Sequence, residues 1–179
     1  IECHEEEAED FFHSRHYRWE GEETEFHGKK IKLGKNNLLN NFCIGIGSNE
    51  PRCTSCHTGY GYTDKNFDFE NKTNMDCLVC HDRTGTYKKF PTKAGYPIYK
   101  KDSVLFKGNK KWYKKVDLVK VAQQAGKSSI QSCGSCHFYG GGGHNVKHGD
   151  LDKSLINATP DIDVHMGNAD PEKRLTCSV

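Results

Sequence analysis

Cys53-Thr54-Ser55-Cys56-His57 and Cys77-Leu78-Val79-Cys80-His81 repeat one five-residue pattern, and Cys133-Gly134-Ser135-Cys136-His137 is a third copy. Two thiols three residues apart reach the two vinyl groups of one porphyrin edge, and the adjacent imidazole then ligates the iron. Cys-x-x-Cys-His is therefore the attachment site of a c-type haem. The spacing Cys53-x2-Cys56-x20-Cys77-x2-Cys80 also suits a four-thiolate zinc ribbon. Such a site is indifferent to the residue after each pair, whereas here every pair is followed by His. With 10 His in 179 residues, chance gives that in roughly one case in several thousand, so the pattern reads as haem.

Working outward, Ile1-Glu2-Cys3-His4 matches the last four residues of such a motif, and Cys177-Ser178-Val179 the first three. The expectation is a window cut from a longer multihaem chain, a single haem-bearing region over residues 1–179. Of nine cysteines, six lie in complete motifs, Cys3 and Cys177 in partial ones, and Cys43 stands apart. The cofactor reading is haem c at three complete sites, with parts of two more.

Hydrophobic residues make up 34% of the chain and mean hydropathy is −0.83, too little for a conventional core at this length. Porphyrins can supply the missing apolar surface, so the chain without haem is expected to be largely unfolded. A formal charge of +2 gives no preference for nucleic acid. No segment approaches the roughly 18 apolar residues of a membrane span. Haem c is attached outside the cytoplasm, which predicts a periplasmic or extracellular protein.

The acidic run Glu2, Glu5, Glu6, Glu7, Glu9 and Asp10 suits the first turns of a helix. Phe12, His16 and Trp19 follow at i, i+4 and i+7, which makes His16 either a sixth iron ligand or a surface histidine. The segment 21–34 is polar and carries His27, which reads as a loop residue. Tyr60, Tyr62, Phe67 and Phe69 suit either haem faces or ordinary packing. Ser103-Val104-Leu105-Phe106 and Lys111-Trp112-Tyr113-Lys114-Lys115-Val116, split by Gly108-Asn109, predict one β-hairpin with a solvated lysine face. Residues 117–125, with Asp117 as cap and Gly126 as stop, predict the clearest helix. His148 and His165, each near apolar residues and a glycine, are the further candidates for distal ligands beside the motif histidines His4, His57, His81 and His137. Beside the run Gly140-Gly141-Gly142-Gly143, His144 is a weaker candidate.

Asn40-Asn41-Phe42-Cys43, Ser48-Asn49-Glu50-Pro51-Arg52-Cys53, Asp76-Cys77-Leu78-Val79-Cys80-His81-Asp82, Thr84-Gly85-Thr86-Tyr87-Lys88-Lys89-Phe90-Pro91 and Val146-Lys147-His148-Gly149-Asp150-Leu151 resemble the octahaem c-type cytochromes of the tetrathionate reductase family. The resemblance implies a multihaem cytochrome fold, mainly α-helix and irregular loops wrapped around stacked haems. It also implies that most irons are bis-histidine while one early haem, that of residues 53–57, takes a lysine and faces a substrate cavity. By position Lys127 is favoured for that lysine, then Lys147, then Lys88 or Lys89. Cys43 and Arg52 are then candidates to face a small oxyanion, although Cys43 reads equally as a buried small hydrophobe. Two functions follow: electron transfer to redox partner proteins or to identical subunits stacked into a conducting filament, and terminal reduction of tetrathionate, nitrite or hydroxylamine.

Overall fold

The computed structural model describes residues 4–34, 49–138, 140, 143–146 and 149–178. Cys3, Cys43, Lys147 and His148 lie outside the described residues. The chain forms two compact units, one of Ile1–Cys77 with Lys88–Val116, the other of Leu78–Tyr87 with Asp117–Val179.

In the first unit, helix α1 (Glu5–Phe12) opens with Glu5, Glu6 and Glu7 at the positive end of its dipole and buries Ala8 and Phe12. The continuous helical face expected through Trp19 is broken. Ser14 takes an extended conformation, and its side chain accepts a bond from Tyr17 N at 3.4 Å, starting a separate short helix α2 (Arg15–Arg18). The break turns Tyr17 inward and leaves His16 exposed.

The polar segment 21–34 folds as a hairpin, with His27 in its turn as expected. Strands β1 (Glu23–Phe26) and β2 (Lys29–Lys32) pair antiparallel with Phe26 opposite Lys29. His27 (φ 50) and Gly28 (φ 72) form the two-residue turn, both left-handed as the right-handed twist of a hairpin requires. Glu23 and Glu25 face Lys32 and Lys30 across the ladder, and the exposed Lys30 ammonium also reaches Glu23 at 3.4 Å, so opposite charges rather than an apolar face line this hairpin.

The short helix α3 (Glu50–Cys53) carries Pro51 in its first turn, where the missing N–H costs nothing, and leads into the first Cys-x-x-Cys-His motif. Ala8, Phe12, Tyr17 and Met75 form one apolar cluster, and Trp19 with Tyr62 a second; Phe67 and Phe69 pack against both. Tyr17 is 1% exposed, and its hydroxyl donates to Asn71 O at 2.9 Å. Burial pushes its pKa up to about 12.

The second unit begins with α4 (Leu78–His81), one turn that holds Cys80 and His81. The one predicted hairpin, in the first unit, is present as β3 (Ser103–Phe106) and β4 (Lys111–Lys114), with Leu105 opposite Trp112. Helix α5 (Leu118–Gln123) is capped by Asp117, whose carboxylate accepts from Lys120 N at 3.0 Å, and it buries Val121. Helix α6 (Ile130–His137) starts with a capping box between Ser129 and Ser132 and ends on the third motif. Single 3₁₀ turns at Lys153–Asn157 and Pro171–Lys173 follow, capped by Asp152 and Asp170. Among the described residues the only strands are the two small hairpins; the rest is short helix and irregular chain. No helix among them is long and apolar enough to cross a membrane.

Candidate haem-binding sites

The second and third motifs are held in the same way. His81 accepts a bond from Gly126 N at its carbonyl, 3.0 Å, and its ring Nδ1 lies 2.8 Å from Gly126 O. His137 accepts from Leu151 N at 2.8 Å, and its Nδ1 lies 2.6 Å from Gly149 O. A carbonyl oxygen can only accept, so Nδ1 carries the proton in both rings and Nε2 keeps the lone pair a metal needs. The chain folds this way locally because Gly126 ends the α5 segment and Gly149, at φ +89, turns the backbone back onto α6.

Helical winding lays out the rest of each motif. Cys77 directly precedes α4, and Cys133 and Cys136 lie on α6. Gly134 is required there, because a side chain at that position would collide with the Phe138 ring. Burial pushes the Cys77 thiol up, and burial followed by the nearby Cys177 thiol does the same to Cys133. Cys133 and Cys177 are thus brought within hydrogen-bonding reach, and Ser128 Oγ meets Ser178 Oγ at 2.9 Å beside them.

The first motif is held by side chains. The Trp19 ring lies 3.6 Å from the His57 ring, centroid to centroid, and meets Tyr62 edge-on at 4.5 Å. The His57 carbonyl takes the Lys89 ammonium. Thr58, next in sequence, bonds His16 O through its Oγ1 at 2.8 Å, so the backbone of His16 is fixed beside this motif. The Arg52 guanidinium, exposed, donates to Ser55 Oγ inside the motif at 2.6 Å.

None of the seven described cysteines is joined in a disulfide. Thiol pairs outside disulfides, each followed by a histidine, fit haem c, and an Nδ1–H held on a carbonyl at the second and third motifs leaves Nε2 to ligate iron.

A family model described as cytochrome c554 and c-prime matches residues 1–82. A crystal structure of an octaheme cytochrome c from Shewanella oneidensis is similar at 45% sequence identity with a TM-score of 0.73, over 99% of this chain and 35% of that one. The chain is a multihaem c-type cytochrome. It spans about a third of the length of that octaheme relative, which it resembles as the octahaem motifs of the sequence predict. An uncharacterized protein of Archaeoglobus fulgidus is 24% identical over 202 residues, covering 92% of this chain and 67% of its own length.

The remaining candidates of this multihaem cytochrome are dispersed. His4 caps α1 through its carbonyl, bonded by Ala8 N at 3.0 Å, and its side chain is exposed. His165 is exposed in a turn whose N–H groups are collected by Asp163 at 2.9 Å for His165 and 2.7 Å for Met166. These bonds, the one from Met166 first, lower the Asp163 pKa. Lys127 is exposed, and its carbonyl accepts from Arg83 at 3.1 Å. It follows Gly126, the residue clamped to His81 of the second motif, and belongs to a different unit from Cys53 and His57. Lys89, the least favoured lysine, is spent elsewhere: its ammonium is paired with Asp76 and backbone carbonyls. Sequence reasoning missed this pair, whose one signal is an aspartate immediately before a haem motif. His144 Nδ1 lies 3.3 Å from Asp152 Oδ2.

Proposed function

We propose that this cytochrome carries electrons along closely packed haems outside the cytoplasm, exchanging them with redox partner proteins or with identical subunits stacked into a filament. The observation that carries this reading is the double clamp on His81 and His137. A ring that donates Nδ1–H to a fixed carbonyl is a stronger electron donor through Nε2 and cannot swing, which favours a low potential and small reorganisation. Haem c, when bound, supplies the one-electron chemistry. Cys53, Cys56 and His57, then Cys77, Cys80 and His81, then Cys133, Cys136 and His137 would hold three haems. Cys177 and the pair Cys3 and His4 would belong to two more. His16, His148 and His165 are proposed as distal ligands.

A second reading, reduction of tetrathionate, nitrite or hydroxylamine at a lysine-ligated haem, is supported by the exposed Arg52 guanidinium held at the first motif. It assigns Lys127 to iron and Cys43 and Arg52 to the oxyanion. Stopped-flow reoxidation of the fully reduced, full-length protein separates the two. Slow, unsaturable oxidation by all three oxyanions with fast exchange to a redox protein or electrode is expected. Rapid, saturable reoxidation by one of them, lost in Lys127→Leu, would establish the reductase instead.

A further inference from the structure

The carbonyls of His81 and His137 are satisfied by backbone N–H groups, whereas that of His57 receives a buried ammonium. The Lys89 side chain is 2% exposed and pairs with Asp76 Oδ2 at 3.0 Å, a carboxylate 0% exposed. Lys89 Nζ also donates to Gly59 O at 3.3 Å and sits 5.5 Å from the centre of the Tyr60 ring. The Tyr60 hydroxyl donates to Asp76 Oδ1 at 2.8 Å, and Asp76 N donates to Thr58 O at 2.8 Å. Gly95, at φ +85, completes the enclosure: a side chain there would run into the Gly59 carbonyl. Every pole of the pair is thus met, and its two ends differ in address. The cation touches the residue that ligates the first haem, and the anion is one residue before Cys77, which anchors the second.

An apolar pair of the same volume would stabilise such a contact at least as well as a desolvated ion pair. What the charges add is a field, acting through a medium that screens it poorly. We propose that Lys89 and Asp76 form a fixed buried dipole that sets the potentials of two successive haems in opposite directions. The ammonium makes the haem on Cys53 and Cys56 the easier of the two to reduce, and the carboxylate makes the haem on Cys77 and Cys80 the harder. The two residues are positioning and tuning residues; neither touches iron. The proposal rests on haem being present at both motifs.

The test is a mediated potentiometric titration of the full-length, haem-loaded protein, followed optically and by electron paramagnetic resonance, one electron per haem. Lys89→Met is expected to lower one midpoint, raising the oxidised-to-reduced ratio of that haem at fixed potential by about tenfold, about 59 mV. Asp76→Asn is expected to raise a midpoint by a similar factor, and Lys89→Arg to leave all midpoints in place. The double variant Lys89→Met with Asp76→Asn leaves no unpaired charge, so it reports even where a single variant fails to fold; the spread of midpoints should narrow. Shifts of the same sign in both single variants, or an unchanged spread in the double variant, would overturn the proposal. Haem-peptide mass spectrometry of the same samples separates this from failure of the underlying reading, which would show as missing haem at residues 53–57 or 77–81 in the parent protein.

Discussion

Trp19→Ala removes the side chain that joins the aromatic cluster to the first haem site. Trp19 is 5% exposed and meets His57, Tyr62 and Phe69 at centroid distances of 3.6, 4.5 and 6.0 Å. Truncating a buried Trp costs about 3–5 kcal/mol, the edge-on aromatic contacts included. For a body of this size each kcal/mol moves the midpoint by about 2–4 °C, so Tm should fall by about 6–20 °C. Trp19 also ends α2 in the left-handed region, φ 62. Trp19→Gly should therefore recover about 1 kcal/mol relative to Trp19→Ala, although it removes more atoms. Calorimetry of the haem-loaded, full-length protein reads both, with the absorbance of the first haem as a second channel. A Tm fall below about 2 °C in Trp19→Ala, or Gly less stable than Ala, would refute the account of this cluster.

Asp82, directly after His81, accepts bonds from Thr84 N at 2.8 Å, Thr84 Oγ1 at 2.6 Å and Tyr87 N at 3.0 Å. Burial raises its pKa, but the bonds from Thr84 and Tyr87 outweigh it and the net shift is downward. A carboxyl lowered on folding contributes stability that is present above its unfolded value, near 3.9, and is lost as pH falls through the folded value. Asp82→Asn should cost about 1 kcal/mol at pH 7 and flatten the acid limb of a Tm-against-pH curve; an identical acid limb would count against the turn. Ser129→Ala removes the capping box of α6, the helix that carries Cys133, Cys136 and His137. A loss of about 1 kcal/mol in urea unfolding is expected, and none would show that the cap is idle.

The haem motifs were legible because covalent chemistry dictates their spacing, whatever the surrounding fold. The hairpin of residues 103–114 and helix α5 were legible too, the first from its apolar strands around Gly108-Asn109, the second from Asp117 and Gly126. The break at Ser14 was not: Phe12, His16 and Trp19 satisfy helical periodicity whether or not the helix is continuous, and only the side-chain cap of Ser14 decides. The hairpin of residues 23–32 left no apolar alternation to read, since seven of its eight strand residues are exposed and one half-buried. The Lys89 and Asp76 pair depends on a chain reversal around Gly95 that brings charges into a buried place, which no local pattern announces. Aromatics around Trp19 read equally as haem cover or packing because both demand large flat side chains; the structure has Phe67 and Phe69 packing between the two clusters.

The most direct measurement is haem-peptide mass spectrometry on the full-length protein produced with c-type haem maturation. The account predicts one haem joined through two thioethers on each of the peptides that contain Cys53 and Cys56, Cys77 and Cys80, and Cys133 and Cys136. Unmodified thiols on these peptides, or zinc in place of iron in the intact protein, would contradict it.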